Sequence, residues 1–192
     1  MSKVIIAIGR HKNVGKDTFA MFLMDILRPV SRGKRIVRRG FADKLYHVLH
    51  LMYGWAGFQT LQYYQQNPAA KEIPLKNGKT PRQLLIEVGT PVLRAYDDDI
   101  HINACLKDED YDILLVNDMR FPNEFKMVKS LGAVTVNIIR PGLVKPTDVA
   151  DTGLDGWDDL WDETIYNDGD KQKLWKEAER IAEKYILKSN ER

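Results

Sequence analysis

Short runs of aliphatic residues alternate along the chain with longer segments whose apolar positions recur every three or four residues, which predicts strands alternating with helices. Val4-Ile5-Ile6-Ala7-Ile8 reads as the first strand, and residues 19–27 as a buried helix that Arg28-Pro29 stops. A second strand is expected over 35–41. A helix follows over 44–53, with Leu45, Val48, Leu49 and Met52 as its core face. Residues 54–78, rich in aromatics and amides and carrying Pro68 and Pro74, predict a short helix plus loop. Thr80-Pro81 opens a further helix, with Thr80 as N-cap and Gly89 as its stop. Helical turns are expected again from Thr90-Pro91 to about Tyr96 and over 100–106. Residues 111–116 form a strand apolar on both faces, which places it centrally in a sheet covered on both sides. A helix over 124–131, a strand over 133–139, a polar acidic stretch over 142–162, a short strand over 163–167 and a helix over 170–188 complete the chain. Five strands with intervening helices and right-handed crossovers predict an α/β fold of three layers with a largely parallel sheet.

At 192 residues the chain fits one domain able to bury a full core without staples. Cys105, the single cysteine, fits a reducing compartment and reads as a buried free thiol. The four histidines show no metal-ligand spacing, although His47 and His50 share a helix face. Lys plus Arg number 29 against 27 for Asp plus Glu, so net charge gives no support to a nucleic-acid or membrane partner. Charge is nevertheless uneven. The first forty residues are basic, with Arg28, Arg32, Lys34, Arg35, Arg38 and Arg39, whereas Asp148 to Asp170 is acidic; most such charges are solvated surface. No apolar run has the length of a membrane span and the N-terminus is a strand, so the expectation is a soluble cytoplasmic protein.

Chemistry concentrates after the first strand. Gly9-Arg10-His11-Lys12-Asn13-Val14-Gly15-Lys16-Asp17-Thr18 has the order of a phosphate-binding P-loop: strand, glycine-bounded loop, lysine, hydroxyl, helix. Glycine lets such a loop aim several N–H groups at one anion, and the helix N-terminus adds its positive end. Arg10, Lys12, Asn13, Val14, Gly15, Lys16, Asp17 and Thr18 are therefore the expected ATP-binding residues. Lys16 reaches the β- and γ-phosphates, and Thr18 holds magnesium directly or through water. The standard pattern has four residues between its glycines and a hydroxyl residue directly after the lysine. Five follow Gly9 here, Arg10 takes the first position at four-residue spacing, and Asp17 intervenes before Thr18. Asp17 either suits the helix dipole or orders a metal-bound water. A second concentration, Asn117-Asp118-Met119-Arg120-Phe121-Pro122-Asn123-Glu124, follows the central strand, where open parallel sheets bind ligands. A surface salt bridge between Asp118 and Arg120 would leave its co-occurrence with a P-loop unexplained.

Gly15-Lys16-Asp17-Thr18, Phe41-Ala42-Asp43-Lys44-Leu45, Thr80-Pro81-Arg82-Gln83-Leu84-Leu85, Gly89-Thr90 with Arg94, the Asp118 to Glu124 segment and Ile165-Tyr166-Asn167-Asp168-Gly169 occur in order. Together they resemble the phage-type deoxynucleoside monophosphate kinases and, more distantly, adenylate kinase. The resemblance implies a P-loop kinase fold and transfer of the γ-phosphoryl of ATP to a deoxynucleoside 5′-monophosphate. It also implies Mg2+, small-molecule nucleotides as partners, and a host cytoplasmic location for a phage enzyme. The stretch 148–157 lacks the His-x-Ser-Glu-like segment of such kinases.

Phosphoryl transfer between anions needs positive charge around the moving group. Lys16, Asp17, Asp118, Arg120 and Arg140 are the candidate catalytic residues, with Arg140 crossing the transferring group as a lid closes. Phe41, Ala42, Lys44, Trp55, Arg82, Arg94, Asp118 and Arg120 are the candidate acceptor site, and Thr18 with Asp118 the candidate metal site. Trp55 and Tyr64 are candidates to stack on a base, and Phe41 or Trp55 to sense deoxyribose. The single domain then carries an acceptor-side insertion over 54–80 and a lid-like segment over 141–162, both expected to move. Rival readings are another small-molecule kinase, of dephospho-coenzyme A or shikimate type, and a non-catalytic P-loop module. No Asn-Lys-x-Asp motif supports a GTPase, and a homodimer stays open.

Overall fold

The computed structural model describes residues 3–31, 33–107, 110–144 and 149–187. Arg32, Asp148, residues 145–148 of the lid-like segment and the expected helix end at Lys188 lie outside them. Two compact units make up the chain: a sheet unit of Met1–Gly40 with Glu109–Arg192, and a helical unit of Phe41–Asp108.

The sheet unit holds β1 (Val4–Gly9), β2 (Ile36–Arg39), β3 (Ile113–Met119), β4 (Val134–Ile139) and β5 (Glu163–Tyr166) in the order β2-β3-β1-β4-β5. Every pairing is parallel, as expected. Helix α1 (Lys16–Leu27) and the last helix (Lys171–Ala182) bury Phe19, Leu23, Leu174, Ala178 and Ile181 against Ile6, Ile8, Leu115, Val136 and Ile138. Successive strand residues point to opposite faces, so Ile5, Ala7, Leu114 and Val116, also buried, turn to the other side. That double burial explains why β1 and the first four residues of β3, Ile113 to Val116, are apolar, while the edge strands β2 and β5 are only partly so. A helix over Pro122–Ser130 packs on β4, and its Phe125 meets the rings of Trp157 and Trp161 edge-on.

The helical unit comprises α2 (Asp43–Tyr53), α3 (Leu61–Gln66), α4 (Pro81–Val88), a short α5 (Arg94–Tyr96) and α6 (Ile100–Leu106). With α7 (Pro122–Ser130), α8 (Val149–Thr152) and α9 (Lys171–Ala182) of the sheet unit, these complete the α-helices of the described residues. Thr80 caps α4 as expected, in a reciprocal pair with Gln83.

Several expectations are corrected. On α2 the buried side chains are Leu45, Tyr46 and Leu49, whereas Val48 and Met52 are exposed. The cluster of Tyr46 with Phe58 and Tyr64 rotates the helix away from its purely aliphatic face. Tyr64 is 1% exposed and its hydroxyl accepts the Gln59 N–H, so it is core and stacks on no base. Helix α4 does end at Gly89, its C-cap, as expected, but the chain stays helical beyond it. Gly89 sits buried in a π-helical turn, Gly89–Leu93, where a Cβ would lie 2.6 Å from Leu45 Cδ2. Strand β3 runs three residues beyond its expected end, because parallel pairing with β1 continues to Met119 opposite Gly9. The final helix gives way to a π-helical turn at Glu183–Leu187. Cys105 is a buried free thiol, as read.

Candidate functional site

Strand β1 ends at Gly9, where a Cβ would stand 2.6 Å from the Trp161 ring and 2.8 Å from the Met119 carbonyl oxygen. Glycine is required there by its strand neighbours. The loop itself curls through three residues at positive φ: Arg10 at 84°, Asn13 at 61° and Gly15 at 104°. Arg10 thus takes the left-handed conformation of the first P-loop glycine at four-residue spacing, a conformation unfavourable for a side chain. Val14 is buried, and its carbonyl accepts the Asn167 Nδ2 amide at 2.8 Å. That same amide lies 2.6 Å from where a Gly15 Cβ would be, so Asn167 both closes the loop and demands its glycine.

Lys16, the first residue of α1, is 7% exposed, and its Nζ donates to the carbonyls of Arg10 (3.0 Å) and His11. Burial, and next the positive charge of Arg120, bring its pKa down to about 7 against the opposing pull of Asp17, Asp151 and Asp118. These five charged groups therefore share one region. Asp17 is exposed, accepts from the buried Asn117 amide and lies 3.6 Å from Arg38 Nη1. Thr18 is half-buried in the first turn of α1, and Asp118 is half-buried on β3.

Arg120 follows β3 and is held at both ends. Its backbone N–H donates to Glu124 Oε2 at 2.8 Å, and the same oxygen accepts from the Phe121 N–H at 3.1 Å. Its Nη1 donates to Asp151 Oδ1. Asp151, whose side chain is 1% exposed, also accepts the Lys12 N–H at 3.1 Å and lies 3.6 Å from Lys12 Nζ. Two more carboxylates continue this order: Asp155 bonds His11 Nε2 at 2.8 Å, and Asp158 pairs with Arg10 Nη1. The acids at 151, 155 and 158 thus meet three consecutive loop residues in reverse order. The Arg10 contact, foremost its hydrogen bond, lowers the pKa of Asp158.

On another side of the loop, residues 10–14 and 138–144 line a cleft of about 310 Å³. Arg140 stands there, exposed, immediately after β4. The structure therefore brings Arg10, Lys12, Asn13, Val14, Gly15, Lys16, Asp17, Thr18, Asp118, Arg120 and Arg140 into the sheet unit. The remaining candidates belong to the helical unit. There Phe41 is buried, Ala42 half-buried, Lys44 exposed at the start of α2, and Trp55 68% exposed. Arg82 pairs with Glu72, and the buried Arg94 side chain donates from Nη1 to the Asp98 carbonyl at 2.9 Å. His50 Nδ1 meets the Phe58 carbonyl oxygen, and His101 Nε2 the Gly89 carbonyl oxygen.

Four residues that organise the site, Glu124, Asn117, Asn167 and Asp151, were not among the candidates. The first three stood inside recognisable segments, where an acid three residues after Phe121 or an amide at a strand end signals a backbone clamp. Asp151 gave no signal, because an acid in an acidic stretch reads as solvated.

No protein-family model matches the chain. A protein of Acanthamoeba polyphaga mimivirus named "Putative deoxynucleotide monophosphate kinase" is 29% identical over 157 residues, covering 73% of this chain and 76% of that protein. Among solved structures, shikimate kinase from Aquifex aeolicus aligns with a TM-score of 0.45 at 14% identity, covering 94% of this chain and 97% of that one. The Mycobacterium tuberculosis APS kinase CysC, in complex with AMPPNP and APS, aligns with a TM-score of 0.42 at 12% identity, covering 95% and 98%. Likenesses of that size carry no weight on function; the fold stands on its own sheet order.

Proposed function

We propose that this chain is an ATP-dependent phosphotransferase that moves the γ-phosphoryl group to a deoxynucleoside 5′-monophosphate, giving the diphosphate. The observation that carries the reading is the convergence of a buried amine, Lys16, and an arginine anchored through both its backbone N–H and its guanidinium, Arg120, on one glycine-bounded loop at the carboxyl end of a parallel sheet. A moving phosphoryl group needs fixed positive charge more than a covalent nucleophile, and the acceptor phosphate is already ionised at neutral pH. The mimivirus relative, similar over most of the chain, supports the choice of acceptor class.

In this reading Arg10, Lys12, Asn13, Val14, Gly15, Lys16, Asp17 and Thr18 take the polyphosphate, and Arg140 reaches it from the end of β4. Arg120 serves the acceptor phosphate within the sheet unit, and Phe41, Ala42, Lys44, Trp55, Arg82 and Arg94 are the acceptor candidates that the helical unit carries. The donor set fits magnesium. Thr18 and Asp118 offer the hard oxygens that magnesium takes, an ion that keeps several waters and arrives with phosphates. When bound there, it supplies charge neutralisation between the phosphates. Lys16 and Arg120 orient the transferring group, and exclusion of water protects ATP from hydrolysis.

The test is ADP formation from ATP in the presence of each common deoxynucleoside and ribonucleoside monophosphate in turn. Acceptor-dependent ADP with at least one deoxynucleotide is expected. Turnover only with shikimate or dephospho-coenzyme A, or binding of ATP without any acceptor-dependent release, overturns the assignment.

A further inference from the structure

Resting on the phosphotransferase reading for the nature of the step, we infer that Asp151 is a positioning residue that fixes the Arg120 guanidinium against the P-loop. Three observations place it in that role. Its carboxylate is almost wholly removed from water, with the side chain 1% exposed, and such a desolvated charge persists only where donors replace the lost hydration. Its donors include the Lys12 N–H, the Lys12 ammonium and Arg120 Nη1, groups of the loop and of the candidate phosphate grip.

The second observation is how the carboxylate is delivered. The turn after Asp151 is packed tightly: a Cβ on Gly153 would stand 2.6 Å from the Arg120 carbonyl oxygen and 3.5 Å from the Phe121 ring, and Leu154 is 2% exposed. Asp151 therefore reaches Arg120 from a fixed backbone. Third, the guanidinium carries five N–H donors in a rigid fork, and its side chain stays 26% exposed. With Nη1 held by Asp151, the other N–H groups of the fork can grip a phosphate in two-point fashion at a set angle. Glu124 fixes the backbone of Arg120 and Asp151 fixes its head. Only the second restraint crosses from the β3 end to the nucleotide loop, and a guanidinium misplaced by an ångström loses much of its catalytic benefit.

Asp151→Asn retains the shape and an oxygen for the Lys12 N–H but loses the charge that holds Arg120. The test is a cycle of Asp151→Asn, Arg120→Ala and the double variant, assayed with ATP and the deoxynucleoside monophosphates. Asp151→Asn is expected to lower kcat about 10- to 100-fold with the KM for ATP changed less than about threefold. In the Arg120→Ala background it is expected to change kcat by less than about threefold. Equal losses in both backgrounds, or a changed KM for ATP with kcat intact, overturn the inference. Asp151→Ser carries the same expectations if Asp151→Asn does not fold.

A companion measurement separates this inference from the kinase reading. In 15N-edited spectra the Arg120 guanidinium protons, assigned with Arg120→Lys, should be resolved in the wild type and collapse in Asp151→Asn. If no deoxynucleotide supports turnover in the wild type, the kinase reading falls. The hold is then decided by these spectra: collapse upholds it and unchanged signals overturn it.

Discussion

Lys16 carries the most specific residue-scale consequence. Burial brings its pKa down to about 7 in the free protein, and a bound polyphosphate, favouring the ammonium, must raise that value. Nucleotide binding above pH 7 should therefore take up a proton, and affinity should fall as pH rises from 7 toward the raised pKa of the complex. Calorimetry in two buffers of different ionisation enthalpy measures the uptake; no buffer dependence at pH 8 would contradict the environment described for Lys16. The stability term has its own sign. The native pKa lies below the usual 10.5, so between about 7 and 10.5 the unfolded chain binds more protons, and this group makes stability rise with pH there. Gly15 gives a second expectation. Alanine at φ 104°, with its Cβ 2.6 Å from the Asn167 amide, should cost about 1–2 kcal/mol or more and weaken ATP binding. Thermal melts and ATP titration check both. The order glycine, lysine, hydroxyl, helix made Gly15 and Lys16 legible in the sequence. Asp151 was not, since its bond to the Lys12 N–H spans 139 positions and only the folded turn removes it from water.

Among the elements, strands were the most legible, because burial on both faces of a parallel sheet leaves a continuous apolar run that no other local structure of that length requires. Helix faces were less so. On α2 the aliphatic spacing indicated Val48 and Met52, yet the aromatic cluster of Tyr46, Phe58 and Tyr64 sets the rotation. The π-helical turns at Gly89 and Glu183 have no local signature, and the extension of β3 through Asn117 and Asp118 is imposed by its neighbour β1. At the edge, β5 and α9 are joined through Glu163, which accepts from Arg180, Tyr185 and Lys184. Burial opposes ionisation, but the hydrogen bonds from Arg180, Lys184 and Tyr185 hold the Glu163 carboxyl at about 2, below its ordinary 4.5. A depressed carboxyl contributes stability that is complete above 4.5 and is lost as pH falls toward 2. Urea melts from pH 6 to pH 2 should show that loss, and Glu163→Gln should flatten it. An unchanged slope in the variant would remove this contact from the acid response.

At the scale of the molecule, sheet order decides where chemistry sits. The chain runs from β1 to β2 and β3 on one side and then crosses to β4 and β5 on the other, so the loop after β1 lies beside the ends of both β3 and β4. That is the place where a parallel sheet leaves a crevice, and it puts Arg120 and Arg140 on either side of the P-loop. Parallel pairing was legible from the alternation of elements. The order of strands was not, because it depends on which crossovers pack, and the sequence offers no local mark of that choice. The central claim is that this crevice transfers phosphate from ATP to a second, phosphorylated substrate. The most direct test compares ADP release by the wild type and Lys16→Ala, ATP and the deoxynucleoside monophosphates being supplied to both. We predict acceptor-dependent release that falls by at least about 10³-fold in a Lys16→Ala protein with unchanged circular dichroism; acceptor-dependent turnover of wild-type size in Lys16→Ala, or none in the wild type, would contradict the account.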